Sequence, residues 1–451
     1  MMTPKRKRKI GLSPIVAVAG MFLCLSVARG QGSDGEALPL ENLLAPNSAF
    51  WQWRAEEFGQ HMQRADFRWM EEGVSSRAAP PQGTFFGHRA YEAVVRFQDG
   101  TPHSLIAYYF NRGDSQVAMS QEAFQGLVRE LSDTITQRLR RQPLPGENRS
   151  RSNRVRDDVL MWQFPDHRFE LSFSYSPPRR EDGRAVPFTA EYIRLSVQKF
   201  STTQLPAHSQ TFVNVFDILQ NIQRNEAGDV WIGNVPMVDQ GPKGYCATAT
   251  AERVMRYFGQ DVDQHQIAQL AGSSAEAGTG SDELRRALES IARQYRYSLN
   301  THISWDFRGF QRMVDQYNRT ARQNNRREIN LPRSGVVYVD QVYNMFDRDT
   351  LVESRVARRT EFNRFEERVR RYVDAGAPLI WGVMLGIVPE PGIPQTAGGH
   401  LRLIIGYNLE TREILFSDSW GRGHELKRMP IEQAFAITTA LYSLEPRGLR
   451  L

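Results

Sequence analysis

Cysteine is nearly absent. The 451-residue chain has two, and Cys24 lies inside an apolar N-terminal run, which leaves Cys246 alone in the rest. An exported chain with one cysteine has no intramolecular disulfide, so that thiol is either a buried spectator or a reactive group. Lysine is scarce as well: beyond residue 30 only Lys199, Lys243 and Lys427 occur. The apolar run Ile10–Ala28 is short for a membrane span and is interrupted by Gly11, Pro14 and Gly20. It follows Lys5, Arg6, Lys7, Arg8 and Lys9, and small residues offer cleavage after Ala28 or Gly30. Residues 1–30 therefore read as a secretory signal, with export to a periplasmic or extracellular space. The alternative is a membrane anchor over residues 10–28, the one route by which a membrane becomes a partner. Surplus charge is lacking too. Removing the six basic residues of 1–30 from the 57 leaves 51 against 51 acidic, which takes away the electrostatic support for a nucleic-acid partner.

What remains is long enough for two cores. Residues 31–45 are small and polar and read as a flexible leader. Residues 46–200 read as an N-terminal α+β domain with no chemistry of its own. Phe50–Trp69 carries aromatic anchors and suggests a helix. Thr84–Phe97 and Ser104–Phe110 suggest strands joined at Asp99-Gly100, a hairpin signal. Phe124, Leu127, Val128, Leu131, Ile135 and Leu139 make a helical stripe. The Arg-rich stretch 138–156 reads as a solvated loop, and strands are expected at 159–164, 169–175 and 190–197. His61, His88, His103 and His167 show no metal-ligand spacing, and neither a metal nor an organic cofactor is expected. A linker at 201–211 then leads into a second domain, 212–451.

In that domain Val238 to Ala247 reads VDQGPKGYCA. A turn rich in Gly and Pro delivers a thiol to the start of a helix, marked by Ala247, Ala251, Val254, Met255 and Phe258 and stopped by Gly259. Unpaired N–H groups and the helix dipole there favour an anion, and Lys243 offers a cation beside it. Those are conditions for a thiolate. Short helices are expected from Phe212 and over 264–270, and another helix at 281–293. Residues 296–345 show no clear pattern, and the Arg- and Asn-rich 320s read as an exposed excursion. A helix through Phe362, Phe365, Val369 and Tyr372 ends at Gly376, and strands follow at 379–385, 401–407, 413–418 and 441–444.

A nucleophilic thiol needs a base and a group that orients the base. His400 follows Gly398-Gly399 and opens an apolar strand, while Asp418 closes the next. If residues 409–411 turn an antiparallel hairpin, His400 faces residues 419–421, which makes Asp418 a near neighbour across the ladder. Gly399 lets a substrate backbone pass close to the imidazole. His265 and His424 are weaker candidates for the base.

This ordered set, with Gln240 six residues before Cys246, Gly-His at a strand start and Ser417-Asp418-Ser419-Trp420-Gly421 on the next strand, resembles the papain-like cysteine peptidases, especially the branch similar to bacteriocin-leader (double-glycine) peptidases. The similarity covers roughly residues 230–445. It implies a helical half carrying Cys246 and an antiparallel β half carrying His400 and Asp418. It implies Cys246 as nucleophile, His400 as base and acid, Asp418 as orienter and Gln240 as the oxyanion-hole side chain. Trp420 would shield the His–Asp pair, and Gly244, Tyr245, Gly399 and Trp420 would border the substrate. The chain departs from papain in having Asp418 where papain has Asn and Ala247 where papain has Trp. Its Cys-to-His interval is also longer than in leader peptidases, a difference assigned to residues 296–345. The expected activity is hydrolysis of a peptide or protein substrate through a thioester. Transglutaminase-like acyl transfer and a catalytically silent binding module are the two other classes that the same residues leave open.

Overall fold

The computed structural model describes Val16–Ala19 and most of residues 38–199 and 218–449; residues 200–217, 241–245, 263–266, 268–280 and 391–397 are among those outside the described residues. The expected linker, most of the helix from Phe212, nearly all of the helix over 264–270, and Lys243, Gly244 and Tyr245 thus lie outside the described residues. Among the described residues no helix is long and apolar enough to cross a membrane.

The architecture is α+β, with two large antiparallel sheets and a separate apolar core on each. In the N-terminal region β1 (Phe67–Glu71), β2 (Ser75–Ala78), β3 (Glu92–Gln98), β4 (Thr101–Asn111), β5 (Leu144–Pro145), β6 (Arg156–Gln163), β7 (His167–Ser176) and β8 (Thr189–Lys199) pair in the order β1-β2-β3-β4-β8-β7-β6-β5. The expected hairpin is the β3–β4 reversal, where Gln98 pairs with Thr101 and Gly100 takes φ +76°. After a short helix α1 (Ala55–His61), α2 (Gln121–Leu139) buries Phe124, Val128, Leu131 and Ile135 in the sheet's core, and the Ser120 hydroxyl accepts from the Ala123 N–H to cap its start.

Three expectations fail in this region. Residues 38–44 are not a free leader: Leu38–Pro39 pairs with Gly83–Phe85, and Leu40 and Leu43 on one helical turn are buried in the core. Phe50–Trp69 is not one helix. A turn of 3₁₀ helix covers Phe50–Gln52, α1 starts where the Arg54 N–H donates to the Glu57 carboxylate at 2.7 Å, and Phe67 and Trp69, two apart, belong to strand β1. Helical and strand spacing share those aromatics, and burial around Phe58 and Phe97 decides between them. Residues 84–97 are not one strand either, because Phe86 and Gly87 at φ +52° and +77° turn the chain back on itself.

The second sheet comprises β9 (Ile222–Arg224), β10 (Asp229–Ile232), β11 (Tyr297–Ile303), β12 (Leu379–Leu385), β13 (Gly398–Asn408), β14 (Glu413–Ser417), β15 (Lys427–Pro430) and β16 (Thr438–Pro446). Its order is β9-β10-β13-β12-β16-β11, with β14 on the other edge of β13 and β15 beyond it. Every residue of β12 and β13 is buried, as the continuous apolar run of β12 requires. Helices α3 (Cys246–Tyr257), α4 (Ser281–Tyr295) and, further along the chain, the one through Phe362 and the one through Phe435 pack into the same core. Between β11 and that helix lie α5 (Phe307–Gln323), α6 (Val339–Tyr343) and α7 (Arg348–Val356), which bury Phe310, Val314, Tyr317, Val342 and Leu351 in a third cluster. Residues 324–328 after α5 are exposed, as the Arg- and Asn-rich 320s suggest. Helix α8 (Arg359–Asp374) then leads back to β12, and α9 (Ile431–Ile437) joins β15 to β16. Arg96 of β3 lies 3.9 Å from Glu252 of α3, an ion pair between the two regions.

Helix α8 ends as the sequence indicates. Gly376 sits at φ +70°, and a Cβ there would meet Ile218 Cγ2 at 2.5 Å and the Ile218 carbonyl oxygen at 2.8 Å. Gly376→Ala is expected to lower unfolding free energy by about 2 kcal/mol or more in urea titrations, since strain and collision add.

Candidate active site

The register of the β13–β14 ladder builds the site. Leu403 faces Ser417 and Ile404 faces Phe416; after a bulge, Tyr407 faces Ile414. Carried to the start of β13, this register puts His400 beside the end of β14, and His400 Nε2 lies 3.0 Å from Asp418 Oδ1. Both side chains are buried, His400 at 1% and Asp418 at 0% exposure. The indole of Trp420 stacks on the His400 ring, with centroids 4.3 Å apart and planes 10° from parallel.

Cys246 is the first residue of α3 and is buried. One turn on, the Thr250 hydroxyl donates to the Leu401 carbonyl at 3.4 Å, which fixes the beginning of α3 against the beginning of β13. Two turns on, Arg253 is almost fully buried. Its guanidinium donates to the Pro236 carbonyl at 2.7 Å, the Asp418 carbonyl at 2.8 Å and the Ser417 hydroxyl at 2.5 Å. One planar, five-donor group thereby joins the helix of Cys246, the strand end at Asp418 and the segment leading to Gln240.

Gln240 is held from two directions. Its backbone N–H donates to the Ser419 carbonyl at 2.8 Å, and its side-chain Oε1 accepts from the Ser419 hydroxyl at 2.7 Å. With the oxygen so engaged, the amide presents its NH₂ as the donor end.

Asp418 carries the electrostatics. Burial pushes its carboxyl up, but the Arg402 guanidinium, the hydrogen bond and charge of His400 and the Lys427 ammonium outweigh burial and hold it well below the usual carboxylate range. Arg402 Nε lies 2.8 Å from Oδ1 and Lys427 Nζ 3.1 Å from Oδ2. The Arg402 contact is an ion pair without hydrogen-bond alignment at Nε. Lys427 also donates to His424 Nδ1 at 2.6 Å and lies 5.4 Å from the centroid of the Trp420 ring.

His400, Asp418, Gln240 and Trp420 thus converge, with Gly399 in the strand beside them and the helix of Cys246 tied to that strand through Thr250; Gly244 and Tyr245 lie outside the described residues. His265 also lies outside them. His424, ranked below His400 in sequence, borders the site with its ring edge-on to Trp420. Sequence reasoning missed Arg253, Arg402, Lys427, Ser419 and Glu390. One of these leaves a trace: Arg402 is a charge inside an apolar strand two residues from His400. Among the described residues no cluster of His, Cys, Asp and Glu is placed to hold a metal ion.

Because the folded carboxyl of Asp418 titrates below its unfolded value of about 3.9, its contribution to stability is complete above that pH and declines as pH falls below it. Asp418→Asn, which strands buried cations, is expected to cost about 3–5 kcal/mol at pH 7 in urea unfolding, and the gap to wild type should narrow below about pH 4.

Residues 232–441 match the Peptidase_C39 like family. Among solved structures, Xylellain, a cysteine protease from Xylella fastidiosa, overlaps with a TM-score of 0.27 at 12% identity, over 52% of this chain and 89% of that one. No curated protein matches the chain.

Proposed function

We infer from the match of residues 232–441 to the Peptidase_C39 like family that the chain hydrolyses peptide bonds with Cys246 as nucleophile, His400 as base and acid, Asp418 as orienter and Gln240 as oxyanion donor. The observation that carries this reading is one piece of geometry: the β13–β14 register brings His400 Nε2 to 3.0 Å from Asp418 Oδ1, while Thr250 pins the start of the nucleophile's helix to the residue after His400.

The chemistry follows from the atoms available. Asp418 takes the Nε2 proton of His400 as a hydrogen bond, which fixes the tautomer and makes Nδ1 the nitrogen that accepts the thiol proton. The Cys246 thiolate, favoured by its helix N-terminus, attacks the substrate carbonyl carbon, and negative charge moves to the carbonyl oxygen. The Gln240 NH₂ and the Cys246 backbone N–H are the donors for that oxygen. His400 returns its proton to the departing amine, which leaves a thioester; the imidazole then takes a proton from water, the hydroxide adds to the thioester, and the thiol leaves. Trp420 keeps bulk water off the His400–Asp418 bond. The order Gln, Cys, Gly-His, Asp supports placing the enzyme near the bacteriocin-leader peptidases. Residues 1–30 support export, with the anchored form as the alternative.

Cys246→Ala and His400→Ala are each expected to reduce peptide turnover to background while the unfolding transition stays intact, and Gln240→Ala to reduce kcat by about 10² to 10³. Hydrolysis by a clean Cys246→Ala preparation would sink the assignment. In the wild type, iodoacetamide should label Cys246 below about pH 6, and His400→Ala should lose that labelling. Mass analysis of the protein from cells should show a chain beginning just after Ala28 or Gly30; an intact N-terminus would favour the anchor.

A further inference from the structure

Arg402 is a large cation with no exposure, placed on β13 two residues after His400 and therefore on the same side of the strand. Its terminal nitrogens grip Glu390 as a fork, Nη1 to Oε1 at 2.9 Å and Nη2 to Oε2 at 3.0 Å. Its Nε lies against Asp418 Oδ1, the same oxygen that meets His400. The guanidinium is walled by aromatic rings, 4.7 Å from the centroid of Phe416, 5.8 Å from Trp420 and 5.9 Å from Trp381. A leucine between Leu401 and Leu403 would fill such a place without the heavy desolvation that a buried guanidinium requires. The charge is therefore the feature to explain.

We infer that Arg402 is a positioning residue of the peptidase reaction, a fixed positive charge that keeps Asp418 ionised and sets the pH window in which Cys246 and His400 work. The inference rests on the proposed function of this site. A carboxylate buried beside a neutral imidazole takes up a proton as pH falls, and a protonated Asp418 no longer stabilises the imidazolium. Arg402 opposes that protonation. The same cation lowers the pH at which the thiol and the imidazole lose their protons, so both limbs of a bell-shaped profile sit lower with it than without it.

The other charged groups around Asp418 do not replace it. Lys427 on β15 reaches Oδ2 but is partly exposed and screened by water. His424 takes a hydrogen bond from Lys427 and accepts the Asp418 N–H at its carbonyl oxygen. Arg253 on α3 meets the Asp418 carbonyl rather than its carboxylate. Glu390 anchors the far end of Arg402.

The test is the double variant Arg402→Met/Glu390→Leu, which removes a buried ion pair without changing net charge, together with Arg402→Lys. The pH dependence of kcat/KM and of Cys246 alkylation by iodoacetamide would be measured on proteins that show a cooperative unfolding transition. Both limbs and the alkylation midpoint are expected to move up by roughly half to one pH unit in the double variant, less than the one to three units typical of a lone neighbouring cation because Glu390 leaves too. Arg402→Lys, which keeps a cation facing Glu390, should retain the wild-type limbs. Unmoved limbs in a folded double variant overturn the inference, as does an Arg402→Lys protein that behaves like the double variant, since only shape would then matter. A wild-type protein that cleaves no peptide and alkylates with a midpoint near about 8.5 overturns the proposed function itself, a result distinct from the other two.

Discussion

A carboxylate taken wholly out of water is among the least favourable groups to bury, and the C-terminal half of this chain is arranged around one. Asp418 is tolerable at zero exposure because three cationic or proton-donating side chains, His400, Arg402 and Lys427, meet its two oxygens. Each partner comes from a different constraint. His400 and Arg402 share a face of β13 because side chains alternate along a strand, and Lys427 arrives on β15 through its pairing with β14. Loss of the carboxylate would leave these cations facing one another, which makes Asp418 a condition of the fold as much as of the chemistry.

The scaffold serves the same end. β13 is the strand on which everything converges: one edge carries β12 over its first half and β10 over its last residues, and the other edge carries β14. Gly406 marks where the partner changes. A Cβ there would come within 2.6 Å of the Val230 carbonyl oxygen and 2.7 Å of Trp231 Cβ, so the close approach of β10 excludes any larger residue. Helix α3 is buried on nearly all sides, which is unusual for a helix carrying Thr248, Thr250, Glu252 and Arg253. The polar groups are tolerated because other elements meet them, Leu401 for Thr250, Asp418 and Pro236 for Arg253 and Arg96 for Glu252, with Arg256 one turn along the same helix also facing Glu252. The Arg96 pair is also where the N-terminal sheet meets the helix of Cys246.

The chain's own sequence determined a good deal. A single cysteine outside the N-terminal run, at the start of an apolar-striped helix, is visible without any fold, because helix periodicity is a local property. The hairpin that pairs β13 with β14 is legible for the same reason: a short turn fixes register, and register then fixes which residue His400 can reach. The continuous apolar run Leu379–Leu385 announced β12, and Gly259 and Gly376 announced the ends of their helices.

Tertiary structure decided the rest, and the reason is that the missing contacts join residues far apart in the chain. Arg253 meets Asp418 across 165 positions, and Gln240 meets Ser419 across 179. No spacing rule connects such pairs; only the packing of α3 on β13 does. The aromatic stretch 50–69 was open for another reason, since its unevenly spaced Phe and Trp residues fit neither a strictly helical nor a strictly alternating pattern, and only burial against the N-terminal sheet separates them. Arg402 shows the boundary most clearly. In sequence it is a charge out of place in a strand, and only the fold, by setting Asp418 on one side and Glu390 on the other, gives that charge something to hold.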